Sequence, residues 1–533
     1  MKCDVLNTPF TNCPHADFVD KAVRAAFAES LEKLKGSLPL KVPVVVSGQK
    51  RFEGRTRPRY CPSQKDWQVA AVTLATQEDV DRALAAAARA WGEWRDLPVE
   101  ERALLLDKLA DRIQADRFDL AALQTLEVGK PWREADADVT EAIDFCRYYA
   151  RRALVELAPR PQGNVWGERN TLWYEGRGVA AIIAPWNFPL AILTGMATAA
   201  LVAGNAVLIK PAGQSSAIGY GLYERMIEVG FPPDVVHFIP GPGSEIGDYI
   251  VEHPLIAMIA FTGSKEVGLS LIRKAGNTKP GQAQVKKVVC EMGGKNAIII
   301  DDDADLDEAV AGVMKSAFGY AGQKCSACSR VITVGQVHEP FVKRLIEACR
   351  SLHIAPAHDP ACQLGPVIDE GAYQRLNGVI ANPGDGATPL YIGTPPSDDG
   401  FFVAPALFAV QDPRHRLMQE ELFGPILAIY QAKNFDEALE VAVSTEFALT
   451  GGVFSRSPSH LEAAKKRFRV GNLYLNRGCT GAMVDRQPFG GFGMSGIGTK
   501  AGGPFYLLSF ADPRCVTENT MRHGFTPDIP PEA

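Results

Sequence analysis

The 533-residue chain has no block of basic residues, no continuous apolar run behind its first methionine, and no cysteine spacing that forms a framework. The first absence, with a formal net charge of −6, excludes the electrostatic footprint of a nucleic-acid or acidic-membrane partner. The second sets the start, Met1-Lys-Cys-Asp-Val-Leu-Asn, apart from a signal peptide, which needs an apolar core there. The third concerns eleven scattered cysteines, an odd number, which without a secretion signal implies reduced thiols and a cytoplasmic location. Cys325-Ser-Ala-Cys328 has no second Cys-x-x-Cys to complete a zinc site, and a proline separates His353 from His358, so no metal is expected. Also missing is a Gly-x-Gly-x-x-Gly that follows a strand and opens a helix, the usual dinucleotide fingerprint.

What is present is ordinary in amount: 46% hydrophobic and 22% charged residues place the chain among globular proteins, and its length calls for two or three domains. The uncharged stretch Ala191–Ile209 is long enough to raise the question of a membrane helix. Gly204-Asn205 breaks it into a buried helix, a turn and a short strand, so no membrane partner is expected. Residues 77–158 carry apolar positions at three- and four-residue steps, which predicts helices over Glu78–Trp91, Glu100–Ala115 and Asp136–Leu157. From 178 to 290 short apolar strands alternate with helices, at Val179–Ala184, Ala206–Ile209, Val235–Phe238, Met258–Phe261 and Val288–Cys290. A second series of this kind runs from Asn296–Ile300 to about residue 475, and alternation of this sort predicts α/β units with parallel sheets. Between them, Pro159–Glu175 is rich in proline, glycine and charge, and residues 526–533 read as a frayed, proline-rich end.

Three segments carry chemistry. Cys325 sits in Phe318-Gly-Tyr-Ala-Gly-Gln-Lys-Cys-Ser-Ala-Cys-Ser-Arg330, among small neighbours that admit a substrate. Lys324 beside it is expected to favour the thiolate, the reactive form, whose free pKa is about 8.5. Thirty-four residues upstream, Glu291 is followed by Met-Gly-Gly and offers a base. Pro185-Trp186-Asn187-Phe188-Pro189 ends an apolar strand and presents the Asn187 amide at its tip. A nucleophile, a base and an oxyanion donor are the parts of covalent carbonyl chemistry. Each residue also has a plainer reading, since buried cysteines are commonly inert, as Cys328, Cys290 and Cys146 are taken to be, and Lys324 reads equally as a solvated side chain. Phe261-Thr-Gly263-Ser264-Lys-Glu-Val-Gly268 follows a strand and opens a helix, where Ser264 and free amides suit a phosphate. Taken alone, Ser264 reads better as an N-cap, with Glu266 in the first turn.

Seven motifs in order resemble the NAD(P)-dependent aldehyde dehydrogenase superfamily: Pro-Trp-Asn-Phe, Lys210-Pro-Ala, Phe261-Thr-Gly-Ser-Lys-Glu-Val-Gly, Glu291-Met-Gly-Gly-Lys, Gly322-Gln-Lys-Cys, Glu421-Leu-Phe-Gly-Pro and Pro488-Phe-Gly-Gly. The resemblance implies the aldehyde dehydrogenase fold: a Rossmann-like parallel-sheet cofactor domain, an α/β catalytic domain and a β-hairpin oligomerisation arm. Implied boundaries are 1–158 with 178–290 for the N-terminal helical region and cofactor domain, 291–475 for the catalytic domain, 159–177 with 503–525 for the arm, and 476–502 for a substrate anchor loop region. The strand near Tyr506–Phe510 is expected to join the arm, and the arm implies a homo-oligomer, a dimer or dimer-based assembly. By resemblance Lys210 contacts the adenine ribose of NAD, Glu421 the nicotinamide ribose with Phe423 packed nearby, and Trp186 lines the nicotinamide pocket. Pro185, Gly243, Gly263 and Ser264 complete the expected cofactor wall. NAD-preferring members often carry glutamate after Lys-Pro-Ala; Gly213 stands there in this chain, which leaves NADP open as well.

The resemblance further implies that Cys325 attacks an aldehyde, that the Asn187 amide and the Cys325 N–H hold the oxyanion at about 3–4 kcal/mol per donor, and that Glu291 activates water to release the acid. The block Asn476-Arg-Gly-Cys-Thr-Gly-Ala-Met-Val-Asp-Arg-Gln-Pro-Phe-Gly-Gly491 and the Gly-Gln-Lys-Cys-Ser-Ala-Cys-Ser-Arg spelling resemble the L-glutamate γ-semialdehyde (Δ1-pyrroline-5-carboxylate) dehydrogenase branch, which acts in proline and arginine catabolism. For that substrate, the Gly481 and Ala482 N–H groups and the Ser326 hydroxyl are expected to take the α-carboxylate, and Lys324 joins the substrate wall. Phe188 and Phe489 flank the aliphatic middle, and Glu141 faces the ammonium or serves as a salt-bridged helix residue. Asp485 stands where the branch often has glycine, and an inward acid there would weaken carboxylate binding. Other semialdehyde or general aldehyde dehydrogenases, and a non-catalytic homologue, are the competing expectations.

Overall fold

The structure is a computed structural model that describes Leu6 and residues 8–521. The segment 526–533 lies outside the described residues. Two seven-stranded sheets carry the chain. In the first, five parallel strands run in the order Lys287–Glu291, Ile256–Thr262, Val179–Ile183, Ala206–Lys210 and Val236–Phe238. The expected strands lie within one residue of these bounds at most ends, the strand Ile256–Thr262 reaching two residues further back. Their side chains are almost all apolar because a parallel sheet is covered by helices on both faces. An antiparallel ribbon, Val44–Val46 and Gln49–Arg51, extends one edge. It was not expected, because Val-Val-Val alone does not say which sheet it joins.

The second sheet runs Ala387–Ile392, Ala406–Val410, Ile426–Ala432, Cys328–Val334, Asn296–Ile300, Thr450–Phe454 and Asn472–Leu475, parallel except for its first pair. Each sheet has its own buried core, one centred on residues 6–292 and the other on residues 297–479. The helices of the N-terminal region are Gln77–Asp96, Val99–Ala115, Arg117–Val128 and Trp132–Glu156, longer than the periodicity alone implies. The first begins at Thr76, whose hydroxyl and the Asp79 carboxylate cap one another's backbone N–H, a reciprocal pair that fixes the start. Ala191–Val202 is a helix, Gly204 turns with φ +94°, and Ala206–Lys210 is a strand, so the uncharged stretch is the buried helix-turn-strand expected of it. Among the described residues no helix is long and apolar enough to cross a membrane.

Away from both sheets, Glu168–Gly176 pairs with Arg160–Pro161 and along its whole length with Ala511–Asn519. The segment expected as that partner strand, Tyr506–Phe510, is instead a 3-10 turn, and the strand starts one residue later. Tyr506, Leu507 and Phe510 are buried against the first core, which pulls this segment out of the arm.

One buried cation ties the second sheet together. Arg330 is 1% exposed and donates to the carbonyls of Lys295 (2.9 Å), Val441 (3.0 Å) and Ala442 (2.7 Å), the last two at the C-terminal end of the helix Phe435–Ala442. A cation there also complements the helix dipole. Arg330→Met leaves three carbonyls without their donor, so stability should fall by roughly 2–4 kcal/mol, read as a lowered thermal midpoint. A midpoint equal to the native one would contradict this role.

Candidate active site

The carboxyl ends of the first sheet face the amino ends of the second. Ile183 leads into Pro185-Trp186-Asn187-Phe188; Lys210 and Glu291 end their own strands; Phe238 leads towards Gly243, and Thr262 into Gly263-Ser264. From the other side, Gly293-Gly294 precede the strand Asn296–Ile300, Cys325-Ser326 precede Cys328–Val334, and Glu421 precedes Ile426–Ala432. The first sheet's order reverses beside Val179–Ile183, and open α/β sheets bind ligands off the carboxyl ends at such a reversal.

A cavity of about 380 Å³ opens in this cleft and is lined by Cys325, Ser326, Lys324, Glu291, Glu141, Phe188, Phe489, Gly481 and Ala482. These expected residues come from five separate stretches of sequence, and the fold brings them to one wall. Cys325 is half-buried, whereas Cys328 is 2% exposed, its thiol donates to the Arg330 carbonyl at 3.3 Å, and it does not line the cavity. Cys290 and Cys146 are buried, with thiols pushed up by that burial. Asn187 is 4% exposed, and one of its amide hydrogens is held by the Gln323 carbonyl at 3.1 Å, two residues before the nucleophile.

Lys324 lines the cavity as expected, but the expectation that it favours the Cys325 thiolate fails. Its ammonium pairs with Glu134 at 2.7 Å instead of serving the thiol. Burial pushes the Cys325 thiol up to about 12, and the nearby Glu421 and Glu291 carboxylates push the same way. Burial would also raise the Glu134 carboxyl, yet Lys324 and Lys130 hold it below the usual carboxylate range. The ion pair with Glu134, on the helix Trp132–Glu156, has no sequence signal, because its partners lie 190 residues apart.

Glu291 is 8% exposed; its two oxygens accept from the Gly491 N–H and the Thr499 hydroxyl, both at 3.2 Å. Burial raises its carboxyl to about 8 despite these donors. A carboxylate tuned towards neutral pH is suited to general-base work. Burial likewise raises Glu141 to about 8, with Asp138 adding to it. Asp485 is exposed and does not line the cavity, so the inward acid expected to weaken carboxylate binding is not found there. Arg477 and Lys315 also line the cavity and were not anticipated.

The expected cofactor residues do not line this cavity and lie at or near the strand ends. Lys210 is 7% exposed, its ammonium reaches only the Pro211 carbonyl at 3.4 Å, and burial lowers it to about 8. Such a cation without a carboxylate suits a hydroxylated ligand. Glu421 accepts from the Gly294 N–H at 2.8 Å, and burial raises it to about 7. Trp186 stands edge-on to Phe423, with ring centres 5.6 Å apart, and Phe423 holds a left-handed φ of +55°. Ser264 does cap its helix, accepting from the Val267 N–H at 3.4 Å, and Glu266 occupies the first turn. Gly263 admits no side chain, since a Cβ would lie 2.5 Å from the Phe261 ring. Gly243 is exposed at the start of a short π-helical turn.

A thiol and a tuned carboxylate thus share one cavity, and the Asn187 amide, which does not line it, is held at the backbone two residues before the thiol. The model of the aldehyde dehydrogenase family matches residues 50–516. The 1-pyrroline-5-carboxylate dehydrogenase of Geobacillus thermodenitrificans is 42% identical over 96% of this chain and 99% of its own. A second enzyme of that name from Bacillus subtilis is also 42% identical, over 96% and 100%. The crystal structure of a Thermus 1-pyrroline-5-carboxylate dehydrogenase with bound NAD superposes with a TM-score of 0.94 at 41% identity, covering 96% of this chain and 99% of that one. Proline utilization A from Bdellovibrio bacteriovorus superposes with a TM-score of 0.95 at 52% identity over 97% of this chain, which spans 54% of that longer protein. With the family match covering most of its length and the site geometry in agreement, the chain belongs to the aldehyde dehydrogenase family.

Proposed function

We propose that this protein oxidises L-glutamate γ-semialdehyde, the open form of 1-pyrroline-5-carboxylate, to L-glutamate, with NAD as hydride acceptor. The observation that carries the substrate is the accounting of backbone donors in the loop 476–487. Cys479 N–H donates to the Ser316 hydroxyl, Met483 N–H to the Gln487 side chain and Asp485 N–H to the Gly502 carbonyl. Among the described residues, the N–H groups of Arg477, Gly478, Thr480, Gly481, Ala482, Val484 and Arg486 have no acceptor, and of these Gly481 and Ala482 are the adjacent pair that both line the cavity holding Cys325. Two adjacent free N–H groups are a receptor for a carboxylate. Phe188 and Phe489 wall the apolar length between that carboxylate and the thiol, and Glu141 supplies an acid for the ammonium.

Residues at the strand ends hold the cofactor: Lys210 and Glu421 take ribose hydroxyls, Gly263 and Ser264 the phosphates, and Pro185, Trp186, Phe423 and Gly243 complete the wall. When bound, the nicotinamide supplies the hydride acceptor. The Cys325 thiol gives its proton to solvent and its sulfur bonds to the aldehyde carbon, and the oxyanion is held by the Asn187 amide and the Cys325 N–H. Loss of hydride leaves a thioester on Cys325. Water attacks that thioester, Glu291 accepts the water's proton, and the thiol and the acid are released. The protein is further proposed to work in the cytoplasm as a homo-oligomer joined through the 159–177 arm, whose Val165 and Trp166 are 67% and 52% exposed. The two cores are proposed to be the cofactor and catalytic domains.

Three outcomes test the reading. Cys325→Ala should abolish NADH formation while Cys328→Ala keeps most of it, and equal losses would overturn the nucleophile. Glu291 must be ionised to act, so native activity should rise with pH through about 8, and Glu291→Gln should release one burst of NADH and then stall. Glutamate semialdehyde should exceed a carboxylate-free aldehyde of similar length by orders of magnitude in kcat/KM, because desolvated N–H groups left unpaired cost more than a lost apolar contact. Equal efficiencies for the two aldehydes would sink the substrate and leave the dehydrogenase standing.

Cofactor choice gives a further outcome. A Cβ at Gly213 would find nothing closer than Arg57 Nη1 at 3.7 Å, so no acid stands there to repel a 2′-phosphate. NADP should therefore be accepted at a measurable rate, and Gly213→Glu should sharpen the preference for NAD; a native enzyme blind to NADP would contradict this.

A further inference from the structure

Arg477 is exposed on one side and lines the cavity on the other, and among the described residues no carboxylate pairs with it. Its guanidinium lies over the Tyr474 ring, 4.6 Å from the centre, which seats the plane of the group. From that seat a single nitrogen, Nη2, donates to two successive carbonyls, Thr480 at 3.1 Å and Gly481 at 3.3 Å. In a planar trans peptide the C=O and the following N–H point to opposite sides of the chain. The Thr480 carbonyl shares its peptide with the Gly481 N–H, and the Gly481 carbonyl shares its own with the Ala482 N–H. Drawing both carbonyls to one nitrogen therefore turns both N–H groups the other way, as a pair. Gly481 has φ +76°, the left-handed conformation that lets two successive N–H groups converge.

We infer that Arg477 is a positioning residue that clamps the Thr480–Gly481 turn and so aims the two N–H groups that receive the substrate's carboxylate. This deepens the proposed substrate reading and rests on it. The neighbouring anchors fix the ends of the loop and leave its centre to Arg477: Cys479 is held by Ser316, and Met483 by Gln487. The clamp acts on direction rather than on charge. A lysine keeps the charge but presents a compact ammonium in place of the planar group that stacks on Tyr474.

The test compares Arg477→Met and Arg477→Lys with the native enzyme on glutamate semialdehyde and on pentanal, with amide hydrogen exchange of the 478–487 segment as a second measurement. The clamp predicts that both variants lower kcat/KM for the semialdehyde about tenfold more than for pentanal, chiefly through KM, and that exchange in the segment quickens. Lysine restoring native discrimination would overturn the clamp in favour of a charge effect, and equal losses on both aldehydes would reduce Arg477 to a general structural role. Native enzyme that does not distinguish the two aldehydes would sink the substrate reading itself. The exchange measurement then decides the clamp alone, and unchanged exchange in both variants would overturn it.

Discussion

The site depends on one crossing of the chain between its two sheets. Gly293 and Gly294 link the strand that ends in Glu291 to the strand that begins at Asn296, and neither position has room for a side chain. A Cβ at Gly293 would lie 2.0 Å from a Glu421 carboxylate oxygen, and one at Gly294 would lie 2.6 Å from the Cys325 carbonyl. The bare backbone lets the base-bearing strand, the Glu421 loop and the nucleophile loop approach to contact distance. Its Gly294 N–H is also the donor that holds Glu421. A methyl group at Gly294 would push the nucleophile loop's backbone away, whereas one at Gly293 would displace the Glu421 carboxylate.

Around that crossing, the two sheets contribute different things. The carboxyl ends of the first supply cation, amide and base; the amino ends of the second supply the thiol and a second carboxylate. Burial then sets the acid–base character of the groups. Glu291, Glu421 and Glu141 all lie above the usual carboxylate range, chiefly because water is excluded from them. Lys210 is lowered for the same reason.

Much of this was legible in the sequence. Parallel strands buried on both faces read as short apolar runs, and their ends carry the motifs whose family resemblance named the residues lining the cavity. What escaped was whatever depends on two distant segments meeting. Lys324 looked like an activator because Glu134 lies 190 residues away. The donors to Glu291 from Gly491 and Thr499 come from about 200 residues downstream. The ribbon at Val44–Arg51 and the 3-10 turn at Tyr506–Phe510 follow from packing against the first core, which no local pattern encodes. Ser264 was open to two readings, and the capping bond is compatible with both.

The environment of Cys325 has a consequence for the idle enzyme. A thiol pushed up in this way, by burial first and then by Glu421 and Glu291, carries little thiolate at neutral pH. Peroxides and alkylating agents attack thiolates, so the resting nucleophile is poor prey for them, even in an open cavity. The two acids that hold the thiol up, Glu421 and Glu291, sit near their own midpoints at neutral pH. Because burial is the larger cause, an event that brings water or positive charge to the sulfur does more to unmask the nucleophile than neutralising the two acids. The protein thus keeps its most reactive atom dormant by default, chiefly by burying it, and the two carboxylates that surround the reaction add to that protection.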